Sequence, residues 1–424
     1  MKIYFRMFRK SILIVIIQAI GIVLGLFSVY FVAGDMPPEI YSLMGVSTIL
    51  TGVLTTFSHL GIETKMMREA LYWEEKKEFD KVNEYATQAI VSRFLGITIL
   101  APFIIAYILY LSHHQYNGDY KVLLILFFFG SCCNALNDSL SLIVRSKGEY
   151  VFAQLAKMLN SDLVKFVAIL MFKAFGSMPY LYFICVAPLP LLIIFIVKTR
   201  ELFRFEYVNI RSTITKIKDT RFLWYKTDLE YFRNYADSLL VSVLFTPAIL
   251  GSYTIYKTFE NIAKSFVEGF FDVLSQSTVR YKCNYEVLVC KEKKIRKIAY
   301  LLSTFVGLFT IVFFIYSSRI IQLINLSNYQ DIDLMVLCVC IVTICYLIGK
   351  YESNAIAFFA TSKLNFKITI FTSIVALLSF VSIALMPSIE TVLVQRIFIY
   401  LFTSIISIIF LNKYRNKLYK NNLK

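Results

Sequence analysis

Charged residues fill only 17% of the 424 positions, and histidine occurs three times. The first shortage excludes a soluble protein: with 58% hydrophobic residues, one water-facing fold could not hide its own apolar surface. The second removes most metal and nucleophile chemistry. His59, His113 and His114 all sit near loops, and none is spaced from Cys, Asp or Glu as a zinc site or catalytic triad requires. A glycine-rich phosphate loop is also absent, so an ATP-driven pump would need a separate motor subunit. No catalytic residue, metal or cofactor is expected, and the chain reads as a non-enzyme.

Cysteine is present but unpatterned. Six of Cys132, Cys133, Cys185, Cys283, Cys290, Cys338, Cys340 and Cys345 fall inside apolar runs, which implies small hydrophobes rather than a disulfide framework. Cys283 and Cys290 flank a basic loop. Without a nearby His or a second pair, their spacing is no zinc pattern.

What is abundant is length of apolar run. A span needs ~20 mostly apolar residues, so this chain has room for roughly a dozen. Such runs lie near 12–33, 40–58, 88–111, 121–144, 153–172, 180–197, 229–247, 249–271, 298–317, 332–349, 364–386 and 391–411. The first follows Lys2, Arg6, Arg9 and Lys10. It is too long for a cleaved signal peptide and lacks a small-residue cleavage site, so it is read as a span. The expected fold class is therefore all-α: a polytopic membrane protein of about twelve transmembrane helices in two six-helix lobes.

The net charge of +16 does not point to nucleic acid, which needs a water-facing basic module. Most of the 44 Lys and Arg residues instead occupy the two tails and alternate loops. They include Lys65, Arg68, Lys76, Lys77 and Lys81; Lys198, Arg200, Arg204, Arg211, Lys216, Lys218, Arg221 and Lys226; and the run from Arg280 to Lys297. By the positive-inside rule these face the cytoplasm, which places both termini there, with membrane lipids as partners. The longest such loop divides the chain into an N-terminal lobe 1–200, a linker 201–226 and a C-terminal lobe 227–424. Six spans per half would relate the lobes as a parallel repeat. Between the second and third spans, Ile62, Met66, Met67, Ala70, Leu71 and Trp73 form the apolar face of a helix expected to lie on the cytoplasmic surface, as a solvated linker or a lipid sensor.

Ionisable residues inside spans are the functional pointers, because lipid makes them expensive. In the eighth span Lys257, Glu260, Lys264, Glu268 and Asp272 recur at steps of three and four, which stacks them on one helical face. The seventh adds Asp228, Glu230, Arg233, Asn234 and Asp237, and the fifth adds Gln154, Lys157, Ser161 and Lys165. Arg93, Arg145 and Asp138 complete the set. Asp228, Lys157, Arg93, Arg145 and Asp272 lie near span ends, where snorkelling anchors need no function. The candidates for a substrate pathway are Arg93, Lys157, Lys165, Arg233, Lys257 and Lys264. Those for ion coupling are Asp237, Glu260 and Glu268.

Together with this layout, two segments resemble a known family. One is His59-Leu60-Gly61-Ile62 through Arg68-Glu69-Ala70 to Glu74-Glu75-Lys76-Lys77; the other is Asp237-Ser238-Leu239-Leu240 followed by Leu250-Gly251-Ser252-Tyr253. They are similar to Wzx-type O-antigen and polysaccharide repeat-unit flippases of the MOP superfamily, relatives of the MATE exporters. The resemblance implies a two-lobed bundle in the bacterial cytoplasmic (inner) membrane. It implies transfer of an undecaprenyl-diphosphate-linked oligosaccharide from the inner to the outer leaflet by alternating access through a cationic cavity, with ion-gradient coupling. It also leaves room for a polysaccharide polymerase and chain-length regulator as partners, in lipopolysaccharide or other surface-polysaccharide biosynthesis. The alternative is a MATE-like ion-coupled exporter of drugs or small solutes. A polymerase would need a large outer loop, and no outer loop here exceeds about fifteen residues. A scaffold would leave the charged eighth span unexplained.

Overall fold

The computed structural model describes residues 19–147, 149–279, 285–359 and 362–421; the side chains of 265–295, 354–365 and 414–421, and of some positions within 67–75 and 150–162, lie outside that description. Cys283, on which one of the metal readings falls, and the side chain of Cys290 are among what is not described. Every regular element of the described residues is helical. All twelve apolar runs fall on helices, the first described from Ala19 onward. Eight helical stretches are long and apolar enough to cross a membrane, and Ala19–Ala33 is a shorter apolar helix. The protein is thus a multi-pass helical membrane protein.

The chain packs as two compact units, Leu26–Gly251 and Ser252–Lys424 together with the residues before Leu26. Helix α1 (Ala19–Ala33), which enters the first unit at Leu26, ends in a π-turn. Pro38 then opens α2 (Pro38–Phe57) at a position where its missing N–H loses no bond. Gly61, at φ +87°, makes the turn into α3 (Ile62–Glu75); any Cβ there would meet the Thr220 backbone 2.9 Å away. Next come α4 (Phe79–His114), α5 (Lys121–Ser146) and α6 (Tyr150–Phe175). Gly176 stops α6 at φ +84°, and the sixth span is two pieces, α7 (Ser177–Val186) and α8 (Leu189–Thr199), broken at Pro188. Asn209 caps α9 (Ile210–Leu244) by accepting from the Ser212 N–H at 3.2 Å. Helix α5 is the hub of this unit, packing on α2, α3, α4, α6, α7 and α8.

The dividing point differs from the linker 201–226 read from the sequence. Helix α9 packs on α2, α3 and α4, which keeps it with the elements that precede it.

The surface helix expected between the second and third spans needs correction. The apolar face of α3 is covered by protein: Ile62, Met66, Ala70 and Trp73 are buried with Val82, Ala86 and Ala89 of α4 and with Leu140, Ile143 and Val144 of α5. A face this apolar gains more from a protein core than from an interface shared with water.

The second unit holds most of α10 (Pro247–Val279), then α11 (Tyr285–Ile315), α12 (Ser317–Leu323), α13 (Ile332–Phe359), α14 (Ser362–Leu385) and α15 (Ile389–Asn421). Its described packing centres on α13, which touches α11, α12, α14 and α15. Gly349 lets α13 and α15 approach closely, since a Cβ there would meet Ser404 Cα at 2.4 Å.

Candidate functional site

Helix α10 carries Lys257, Glu260 and Lys264 on one face, and α15 carries Arg396 and Tyr400 one turn apart. The other four converge on the Glu260 carboxylate. Glu260 is fully buried. Its Oε1 accepts from Arg396 Nη2 at 2.5 Å, from the Tyr400 hydroxyl at 2.8 Å, and from Lys264 Nζ. Lys257 Nζ stands 3.7 Å from Oε2. Arg396 Nη2 also donates to Tyr400 at 2.9 Å, and Lys264 donates to the same hydroxyl.

Aromatic faces supply the rest of the cations' environment. Lys264 lies 4.3 Å from the Tyr400 ring centre and 5.9 Å from that of Tyr346; the Arg396 guanidinium is 4.9 Å from Tyr400, and Lys257 is 5.7 Å from Tyr253. Tyr253 and Tyr256, both buried, stack at 5.1 Å beneath the cluster.

Among the described residues, three cations face one carboxylate in a largely buried site. Lys, Arg and Tyr donors are thus gathered around one point in a low-dielectric interior, where charge-assisted hydrogen bonds are strongest. The stacking of Lys257, Glu260 and Lys264 is as the spacing predicts. Sequence reasoning passed over Arg396 and Tyr400. The signal was available, since Arg396 is a single cation inside the apolar run 391–411. It also passed over Glu352 of α13, a buried carboxylate that accepts from Tyr300. The side chains of Glu268 and Asp272 lie outside the described residues.

The remaining candidates belong to the other unit and are not gathered in one place. Arg93 is 1% exposed, and all three guanidinium nitrogens are turned onto protein acceptors. Nε donates to Glu63 Oε1 at 3.0 Å and Ser139 Oγ at 2.5 Å. Nη1 donates to the Thr55 carbonyl at 2.6 Å and Ser58 Oγ at 2.9 Å, and Nη2 to Glu63 Oε2 at 2.6 Å. The sequence placed Arg93 among pathway cations; its geometry is that of a tie joining α2, α3 and α5 to α4. Lys157 of α6 pairs with Asp138 of α5, and Lys165 is half-buried farther along α6. On α9, Arg233 Nε reaches Asn234 Oδ1 at 3.4 Å, and Asp237 is fully buried. Among the described residues, no three His, Cys, Asp or Glu side chains are placed to hold a metal.

No protein-family model matches the chain, and no curated protein matches it. Solved structures do. An inward-facing multidrug resistance MATE family transporter of the MOP superfamily matches at TM-score 0.66 and 16% identity, over 96% of this chain and 99% of that one. The outward-facing conformation of such a transporter matches at 0.65 and 14%, over 97% and 96%. The fold is that of the MOP transporters. A third match is a MOP superfamily transporter from Pyrococcus furiosus described by the reverse polarity of its binding pocket, at 0.66 and 16%, over 97% of this chain and 95% of that chain. At these identities the likeness establishes the fold.

Proposed function

We propose that this MOP-fold protein is a flippase that moves undecaprenyl-diphosphate-linked oligosaccharide repeat units from the inner to the outer leaflet of the bacterial cytoplasmic membrane, by alternating access and coupled to an ion gradient. The observation that carries the reading is the gathering of Lys257, Lys264 and Arg396 around the single described carboxylate of Glu260. A diphosphate esterified at both ends carries two negative charges, and the cluster offers it Lys, Arg and Tyr donors. The tyrosines around it give sugar rings a stacking surface. The lipid carrier, the membrane and any association with a polymerase and chain-length regulator come from the family resemblance.

Ion coupling through Glu260 fits less well, because its carboxylate already accepts from Arg396, Tyr400 and Lys264. Asp237 is the better candidate. The second reading, a drug or solute exporter, is favoured by the multidrug-resistance transporters that share the fold. A cationic drug would meet repulsion at the Glu260 cluster.

The test is complementation of a flippase-deletion strain, scoring surface polysaccharide and accumulated lipid-linked repeat unit. Wild type is expected to rescue, while well-expressed Lys257→Ala, Lys264→Ala, Arg396→Ala and Asp237→Asn fail. No rescue in any matched background, with altered drug or solute resistance instead, would overturn the flippase reading in favour of the exporter.

A further inference from the structure

A second basic site lies in the unit Leu26–Gly251, where the C-terminal ends of α5 and α8 and the start of α6 meet. These ends enclose a groove of about 570 Å³. Lys147, Lys198 and Arg200 line it, together with Glu149 and Glu201. Lys198 is committed, with Nζ 3.0 Å from Glu149 Oε2 and 5.3 Å from the Phe152 ring centre. Lys147 and Arg200, the C-capping residues of α5 and α8, have no ion-pair partner among the described residues. Directly along α8 from these cations, Ile193, Ile194 and Val197 complete the wall at 62%, 47% and 58% exposure. They belong to a stretch apolar enough to span a membrane.

We propose that this groove binds an anionic phospholipid, with its phosphate on Lys147 and Arg200 and an acyl chain along Ile193, Ile194 and Val197. Cations alone would serve any phosphate. Cations at the end of an exposed aliphatic strip on a spanning helix match a molecule that is anionic at one end and hydrocarbon at the other. The loops that carry them are those the positive-inside pattern assigns to the cytoplasm, where anionic lipid headgroups attract basic residues next to spans. Glu149 has a role in this arrangement, since its pairing with Lys198 links the start of α6 to the end of α8 beside the groove.

The experiment uses the full chain purified in a neutral detergent and native mass spectrometry with added phosphatidylglycerol, phosphatidylcholine or inorganic phosphate. Phosphatidylglycerol is expected to be retained in preference to phosphatidylcholine. In K147Q/R200Q its affinity should fall about 30-fold, roughly five-fold for each cation lost. K147R/R200K, which keeps both charges, should bind as wild type and shows that the site, not the fold, was lost. Equal retention of the two lipids, unchanged affinity in K147Q/R200Q, or full displacement of phosphatidylglycerol by millimolar inorganic phosphate would overturn the proposal.

Discussion

Removing Arg93 is expected to loosen α3 from the rest of its unit before it affects any substrate. The guanidinium and the Glu63 carboxylate are each 1% exposed, and they meet through two parallel contacts of 3.0 and 2.6 Å. In Arg93→Ala, Glu63 stays buried without its cation, a change that costs about 3–5 kcal/mol. For a unit of this size that corresponds to a fall in Tm of about 6–20 °C. Arg93→Lys keeps the charge but has one nitrogen for acceptors that now engage three. It leaves some of the Thr55 carbonyl, Ser58 and Ser139 unsatisfied, at roughly 1–3 kcal/mol for each stranded group. Adding Glu63→Ala to Arg93→Ala should cost less than Glu63→Ala alone, because the stranded charge is then gone. Trp73 provides the assay. It is one of only two tryptophans in the chain, is buried on α3, and packs against Tyr85 of α4 at 4.6 Å. Its emission in detergent should shift to the red in Arg93→Ala at temperatures where wild type is still folded. A variant with wild-type Tm and wild-type Trp73 emission that nonetheless failed to transport would refute the reasoning and return Arg93 to the substrate pathway.

Two further outcomes follow from the same unit. Gly96→Ala places a Cβ 2.6 Å from Ser58 Cα and from its carbonyl oxygen, both backbone. Helices α4 and α2 must therefore separate, at about 1–3 kcal/mol, read as a lowered Tm. Burial pushes the His59 imidazole below its ordinary 6.5, while Glu63 pulls it back and Arg93 adds to the depression. The unfolded chain then takes up a proton near pH 6.5 that the folded chain refuses, so stability is lost as the pH falls below that value. Unfolding measured between pH 7.5 and 5 should show this slope in wild type, and His59→Gln should flatten it; an equal slope in both would assign the acid sensitivity elsewhere.

Eight of the spans were legible because lipid enforces a length and composition that few other environments demand, while the charged runs on α6 and α9 are borne out as helices. The spacing of Lys257, Glu260 and Lys264 was legible for an equally local reason, since steps of three and four define one face of a helix. Who completes a site is not local. Arg396 lies 136 residues from Glu260, and only the packing of the folded unit brings them together. The same limit explains α3 and Arg93. An amphipathic face shows that something must cover it, and a buried cation shows that something must pair with it; neither names the partner. Protein covers α3, and Glu63 of that helix turns out to be the partner of Arg93.

Glu260 is where the charge argument for the proposed substrate has to hold. Lys257, Lys264 and Arg396 without a carboxylate would put three positive charges into one buried region, which lipid surroundings oppose strongly. Glu260 makes the cluster tolerable and, by sitting at its centre, aims every donor at one point. It does not neutralise the cluster. Among the described residues the cations exceed the carboxylate by two charges, the number on the doubly esterified diphosphate of the proposed function. A monovalent cationic solute would raise the excess to three. Electrostatic energy grows steeply with net buried charge. On the proposed function, the described cations therefore disfavour a cationic drug and favour a dianion, before any contact with the sugar or the lipid tail is considered.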